Sequence, residues 1–334
     1  MKNKIMAMLV AFGLVGSVSA IEINENLSIN GFIDGSYKST DFNDKSSPAS
    51  GGDSTDIGID EIELDFLFSA GAARGELHLD SAVANDDDQL DIEQVHLSFD
   101  FEGGLSLTAG VFGSSLGLDR EDPGGLYTYS RAFSAAGGFN LGDVDSYQQE
   151  GLRVTYTADQ FTASLSAFNG VGDAEETAPV AGPPAVAGSE DDLDWELSIA
   201  YTGIENLALG GGVQTNNEET LANADTTVIN VTGVYTMGKA LIGAEWSNID
   251  SDNNAAADRD AYQILVDYDV SDVLGFAVRY AEEDDGTGET GDSVTIAPNY
   301  AISDNLGAIL EYTNRNDANG DDEDFLAVEL TFTF

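Results

Sequence analysis

Strict alternation of apolar and polar residues, sustained from residue 27 to the C-terminal Phe334, constrains this chain more than any other feature. Ile62, Leu64, Phe66 and Phe68 alternate with Glu61, Glu63, Asp65 and Leu67. Val95, Leu97, Phe99 and Phe101 alternate with Gln94, His96, Ser98 and Asp100. Near the end, Leu326, Val328, Leu330, Phe332 and Phe334 alternate with Ala327, Glu329, Thr331 and Thr333. Successive side chains of a β-strand point to opposite faces, whereas a helix repeats its apolar residues three and four apart. The helical spacing does not occur, so the chain is expected to be all-β.

The strands run in pairs. Short turns fall at Gly71-Ala72, Glu102-Gly103-Gly104, Ala158-Asp159, Gly203-Ile204-Glu205-Asn206, Gly238-Lys239, Ser271-Asp272 and Ser303-Asp304-Asn305. Longer acidic segments rich in Gly, Asn and Asp separate the pairs. About sixteen strands are expected, from 27–38 and 58–69 at the start to 306–314 and 325–334 at the end. An even count with short turns on one side and long loops on the other describes a transmembrane antiparallel β-barrel, with short periplasmic turns and long extracellular loops. At sixteen strands such a barrel encloses an aqueous channel.

The aromatic residues agree. Phe68, Phe101, Tyr201, Tyr235, Tyr268, Tyr300 and Phe334 stand just before turns, mostly 32 to 34 residues apart, and Tyr156 belongs to the same series. Trp195, Trp246, Tyr262, Tyr280 and Tyr312 mark the opposite strand ends. Amphipathic rings at two levels fit the two interfaces of a membrane, while a soluble sandwich would fill its core with them.

Residues 1–20 read as an export leader. Lys2 and Lys4 precede the apolar stretch Ile5 to Val15, and Ser17-Val18-Ser19-Ala20 offers small residues for cleavage after Ala20. The apolar stretch is shorter than the ~20 residues that span a bilayer. Residues 21–334, the expected barrel, contain no apolar run of that length. The mean hydropathy is slightly negative, as it is when lipid-facing and lumen-facing residues alternate. A last strand ending in Phe334 also resembles the sorting signature of bacterial outer-membrane proteins. The expected location is the outer membrane of a Gram-negative bacterium, in contact with lipid and lipopolysaccharide.

Charge and cysteine content exclude several classes. The chain carries 61 acids against 12 bases, a formal net charge of −49. Nucleic-acid binding needs clustered Lys and Arg, so it is excluded. With no cysteine, disulfides and thiolate metal sites are excluded as well. A hydrolase would need a nucleophile beside a histidine. The two histidines, His78 and His96, stand mid-strand among acids with no nucleophile signature near them.

One stretch carries a family resemblance. Glu93-Gln94-Val95-His96-Leu97, Leu107-Thr108-Ala109-Gly110-Val111-Phe112-Gly113 and Leu116-Gly117-Leu118-Asp119 lead into Asp122-Pro123-Gly124-Gly125-Leu126-Tyr127-Thr128-Tyr129-Ser130-Arg131, followed by Glu150-Gly151-Leu152-Arg153-Val154. Over roughly residues 58–170 this resembles the OmpL-like β-barrel porins. The resemblance implies a porin for passive diffusion of small hydrophilic solutes, with no cofactor. It also implies that the third long loop, 114–148, folds inward and narrows the pore. Phosphate-selective relatives line their pores with bases, and this chain departs from that pattern.

Function would then rest on charges near the passage. The loop supplies Asp119, Arg120, Glu121, Asp122, Arg131, Asp143 and Asp145. Alternation puts Asp34, Glu61, Glu63, Asp65, Glu76, Asp80, Asp100, Glu196, Glu245, Asp267, Glu311 and Glu329 on the lumen face, with few bases, namely Arg74, Arg153 and Arg279. Acidic rings favour cations, so cation selectivity is expected, with Arg74 and Arg153 as the basic side of a transverse field. No metal site is assigned. Acidic clusters at Asp86-Asp87-Asp88, Glu282-Glu283-Asp284-Asp285 and Asp321-Asp322-Glu323-Asp324 could hold Ca²⁺ or Mg²⁺ loosely. A homotrimer is compatible with the strand number. A sugar- or nutrient-specific channel and a non-conducting structural or adhesive barrel stay open as alternatives.

Overall fold

The computed structural model describes residues 20–43, 52–81, 90–119, 123–133, 149–169, 193–216, 225–251, 258–284, 290–316 and 321–334. Its first nine strands are β1 (Ile21–Asn24), β2 (Leu27–Asn43), β3 (Asp53–Ala70), β4 (Ala73–Ser81), β5 (Asp91–Asp100), β6 (Leu105–Phe112), β7 (Gln149–Thr157), β8 (Phe161–Asn169) and β9 (Leu193–Ile204). Then follow β10 (Leu207–Asn216), β11 (Thr226–Met237), β12 (Ala240–Ser251), β13 (Arg259–Asp269), β14 (Leu274–Asp284), β15 (Thr290–Ala301), β16 (Leu306–Asn316) and β17 (Asp322–Thr333). From β2 onward each strand pairs antiparallel with the next, and β17 pairs with β2, so the sheet closes into a barrel. Among the described residues no helix is long and apolar enough to cross a membrane; the crossing belongs to strands.

Closure is completed by the last residue. The Phe334 amide donates to the Gly31 carbonyl at 3.1 Å and its own carbonyl accepts from the Gly31 amide at 3.2 Å. A Cβ on Gly31 would stand 2.2 Å from the Glu63 carbonyl oxygen and 3.1 Å from the Phe334 ring. Only glycine lets the terminal ring lie that close to the strand it seals.

The barrel inverts the arrangement of a soluble protein. On β13, Gln263 and Asp267 are buried on the inner face, while Tyr262, Ile264, Val266 and Tyr268 are exposed on the outer one. β9 repeats this, with Asp194, Glu196 and Ser198 inside and Trp195, Leu197 and Ile199 outside. Apolar residues facing outward around a closed sheet require an apolar solvent, which lipid provides. The expected aromatic rings lie on this outer face. Tyr156, Tyr235, Tyr268 and Tyr300 are exposed near the turns, and Trp195, Trp246, Tyr262 and Tyr312 near the long loops. Tyr201, Tyr280 and Phe334 are half-buried. Tyr262 and Tyr280 both donate to Glu282, at 2.8 and 2.9 Å, and Tyr312 donates to Asp324 at 2.6 Å.

The sixteen expected strands all occur, with four corrections. β1, a short strand on Ile21–Asn24, pairs with the start of β2. Four residues are too few for alternation to register, and the Asn26 amide bonding to the Asn24 side chain at 2.9 Å makes the turn. β2 and β3 also run further toward the loop than 27–38 and 58–69, to Asn43 and back to Asp53, where Ser, Thr, Asp and Asn outnumber the apolar Phe42 and Ile57. The register also slips at four places, and on β3 and β5 the slips make Asp60 and Glu93 the extra residues of β-bulges. The expected four-residue turn Gly203–Asn206 tightens to Glu205-Asn206, with Asn206 at φ 61°.

Burying a cation in hydrocarbon is costly, so Ile264→Arg on the outer face of β13 should lower stability by roughly 2–4 kcal/mol if it sits near mid-bilayer. Denaturant unfolding in phospholipid bilayers would show it. An unchanged unfolding free energy would contradict the outward, lipid-facing placement of Ile264.

Candidate functional site: the inner wall and the loop after β6

The loop between β6 and β7 starts from an anchored root. Phe112 is buried against Phe168, ring centroids 5.3 Å apart, with the Arg153 guanidinium 4.4 Å above its ring. Arg153 donates through Nη2 to the Gly113 carbonyl (2.7 Å) and through Nε to Ser166 Oγ (2.8 Å), and lies 3.5 Å from Glu196. The chain then runs along the inner wall. Ser114 Oγ and the Ser115 amide donate to Glu196 on β9. The Gly117 amide donates to Asn230 Oδ1 on β11 and the Leu118 amide to Glu245 Oε1 on β12, each at 3.2 Å. An irregular backbone has no ladder to satisfy its N–H groups, and wall carboxylates and amides take them instead.

Glycines of the wall make room for this. A Cβ on Gly212 would come within 2.8 Å of the buried Leu116 side chain, and one on Gly243 within 3.0 Å of Leu118. Ala261, Ala277 and Ala297 do the same further round. Phe133 packs over Val228, Ile249 and Ala261, and Tyr127 over Leu265, Ala277 and Ala297.

The second described stretch, 123–133, is held by one buried cation. Arg279 on β14, 1% exposed, donates to Thr128 Oγ1 (2.8 Å), Ser130 Oγ (2.8 Å) and the carbonyls of Ser130 and Arg131. It also reaches Thr295 Oγ1 on β15 at 3.3 Å and lies 3.6 Å from Asp119. Fully buried Glu311 on β16 accepts from the Ser130 amide (3.1 Å) and hydroxyl and from Thr313 Oγ1 (2.9 Å). Asp119 ties the two stretches together, its carboxylate accepting from the Ala132 amide (2.9 Å) and its carbonyl from Arg131 (2.6 Å). A buried guanidinium is tolerable because hydroxyls, two carbonyls and the Asp119 carboxylate surround its two Nη ends.

At the far edge Tyr129 stacks on Phe325 of β17, centroids 5.8 Å apart. Its hydroxyl is 3.4 Å from Asp60, and burial pushes the phenol above its ordinary pKa. Asp60 also pairs with Lys38 at 2.6 Å. The bulge puts Asp60 on the inner face beside Glu61, which alternation alone could not reveal. Lys38 and Arg315 are further inner-face bases that the sequence reading passed over, though the period of two carried both.

The structure brings Asp119, Arg131, Arg153, Arg279, Glu245 and Glu311 into contact with the loop or its root. Asp34, Glu63, Asp65, Glu76, Asp80 and Asp267 line the inner face elsewhere. Arg74 differs: it pairs with Asp100 at 2.9 Å beside the 71–72 turn, remote from the loop's described contacts, and both side chains are half-exposed. Arg120, Glu121, Asp122, Asp143 and Asp145 lie outside the described residues, as do residues 1–19, Asp86-Asp87-Asp88 and Asp285.

The barrel has an outward apolar face, a charged lumen and a loop running over its inner wall, and the model of the Gram-negative porin family matches residues 6–320. The chain belongs to that family. Among curated proteins no sequence matches this porin. Its fold is similar to the outer membrane channel DcaP of Acinetobacter baumannii, at 15% identity and a TM-score of 0.69 over 95% of this chain and 100% of that one. It is also similar to Salmonella typhi OmpF in complex with daunomycin (12%, TM-score 0.66, 94% and 100%). A third similar fold is the anion-selective porin from Comamonas acidovorans (13%, TM-score 0.64, 92% and 99%). The protein is thus an outer-membrane porin channel for small solutes.

Replacing Arg279 by Met would leave Asp119 and Glu311 buried without their cation, at a local cost on the order of 3–5 kcal/mol. We expect the stretch Tyr127–Phe133 to detach and become a site of limited proteolysis while the barrel stays folded. Equal resistance in both proteins would show that Arg279 does not hold the loop.

Proposed function

We propose that this porin is a cation-selective diffusion channel whose passage is narrowed by the loop after β6. The observation that carries the reading is the neutralisation of inner-face bases. Lys38 lies 2.6 Å from Asp60, Arg74 2.9 Å from Asp100 and Arg153 3.5 Å from Glu196. Arg279 lies 3.6 Å from Asp119 and Arg315 3.3 Å from Glu323. Each of these five bases lies beside an acid, and acids outnumber bases on the same face, which also carries Asp34, Glu61, Glu63, Asp65, Glu76, Asp80, Asp267 and Glu329. In a narrow aqueous passage with low-dielectric walls such a surplus raises the local cation concentration.

Fold does not decide the sign, since the Comamonas acidovorans structure of similar architecture is described as anion-selective. Side chains decide it. The loop's bonds to Glu196, Asn230, Glu245 and Glu311 support the narrowing, because they tie the backbone at Ser115, Gly117, Leu118 and Ser130 to the inner wall. Export through a leader ending at Ala20 completes the reading.

Planar-bilayer recordings of the refolded porin in a KCl gradient test it. The reversal potential should report K⁺ more permeant than Cl⁻ by several-fold at low salt. The preference should fade towards 1 M, where the Debye length shrinks to about 3 Å. A reversal potential of the opposite sign would overturn the selectivity while leaving the barrel intact.

A further inference from the structure

Both histidines of the chain stand on the inner face of adjacent strands, with the His96 ring edge-on to Phe112 at the root of the loop, centroids 6.4 Å apart. Glu76 and His78 are two apart on β4 and share a face. Across the ladder, His78 pairs with Asp65 on β3 and Glu76 with His96 on β5. The His78 ring is held from one side: Nδ1 lies 3.0 Å from Asp65 Oδ1 and 3.2 Å from Glu63 Oε1. Its other nitrogen, Nε2, is buried and makes no hydrogen bond. That atom faces Glu76 Oε2 at 3.5 Å, and His96 Nε2 faces the same oxygen at 3.7 Å.

We propose that Glu76, His78 and His96 form a binding site for a divalent transition-metal cation of the Zn²⁺ or Cu²⁺ class on the channel wall. Two imidazoles and a carboxylate are the donor set such ions select over Ca²⁺ or Mg²⁺. A tetrahedral ion about 2.0–2.1 Å from each donor needs donors roughly 3.3–3.5 Å apart, close to the separations between the Glu76 oxygen and each imidazole nitrogen. The two His78 contacts at Nδ1 supply the second requirement. Carboxylates accepting from that nitrogen hold the ring with Nε2 toward Glu76, so an ion that displaces the Nε2 proton meets an already oriented donor. With His78, His96 and Glu76 half-buried, one face of the ion stays open to lumen water, which completes its coordination. A salt bridge alone would need none of this convergence: Nε2 of both rings stands beyond hydrogen-bond distance from the oxygen they share.

The test uses untagged folded porin and Cu²⁺ alone, read by pulsed EPR. Because the chain has two histidines and no cysteine, modulation from remote imidazole nitrogens can only come from His78 and His96. We expect that modulation in the wild type, its loss in the His78→Gln/His96→Gln double variant, and displacement of Cu²⁺ by Zn²⁺. Asp65→Asn should weaken binding by about 10-fold or more through release of the His78 ring. Copper bound without imidazole modulation, or with equal affinity in the double variant, would overturn the site. The wild-type spectrum decides even if a variant fails to fold. It needs no bilayer and no current, so its outcome is independent of the selectivity measurement.

Discussion

Everything in this molecule depends on one accounting rule: in hydrocarbon, a backbone N–H or C=O without a partner costs several kcal/mol and water is not there to help. An open sheet breaks the rule along two edges. The ladder between β17 and β2, registered from Asp322 opposite Asn43 to Thr333 opposite Phe32, removes both. Once the edges are gone, the outer face is free to be apolar and the inner face is left with the charges that a soluble protein would carry on its surface. Buried inner-face acids such as Asp34, Glu63, Asp194, Glu311 and Glu329 show where part of that charge goes.

The lumen solves a second problem with the same currency of hydrogen bonds. A loop entering a polar cavity has no strand to pair with, and its amides find Glu196, Asn230, Glu245 and Glu311 on successive strands of the wall. Arg279 then neutralises the charge this brings together, touching Asp119 from the loop and lying beside Glu311. The wall is shaped for the purpose, with Gly212, Gly243, Ala261, Ala277 and Ala297 wherever a loop side chain presses inward. Charge and shape agree on the same path, so the placement of the loop is over-determined.

The fold was legible because its signal is local and repeated: each strand states its two faces within ten residues, and sixteen repetitions leave little freedom. What escaped the reading was of two kinds. At Asp60 a single extra residue reverses the parity, so Ile57 and Ile59 follow one phase and Ile62 and Leu64 the other, and a reader assuming one phase loses the carboxylate between them. The site, by contrast, was hidden by distance along the chain. Ser130 meets Arg279 across 149 residues, and no pattern near either predicts the other. The alanines opposite Tyr127 and Phe133 were the one available hint, since small residues at inward positions of a barrel imply something packed against them. The histidine cluster escaped for the same reason, being assembled by register across three strands rather than by spacing in one.

The seam at Gly31 and Phe334 bears on how such a chain is made. Because β2 is synthesised before every other strand of the ring and β17 after them, β2 gains its second long ladder only when β17 arrives. A chain interrupted anywhere along its length therefore keeps two unpaired edges and cannot finish, however well its completed hairpins are formed. The bonds between Phe334 and Gly31 belong to that last step: the barrel becomes compatible with a membrane only once β17 has met β2.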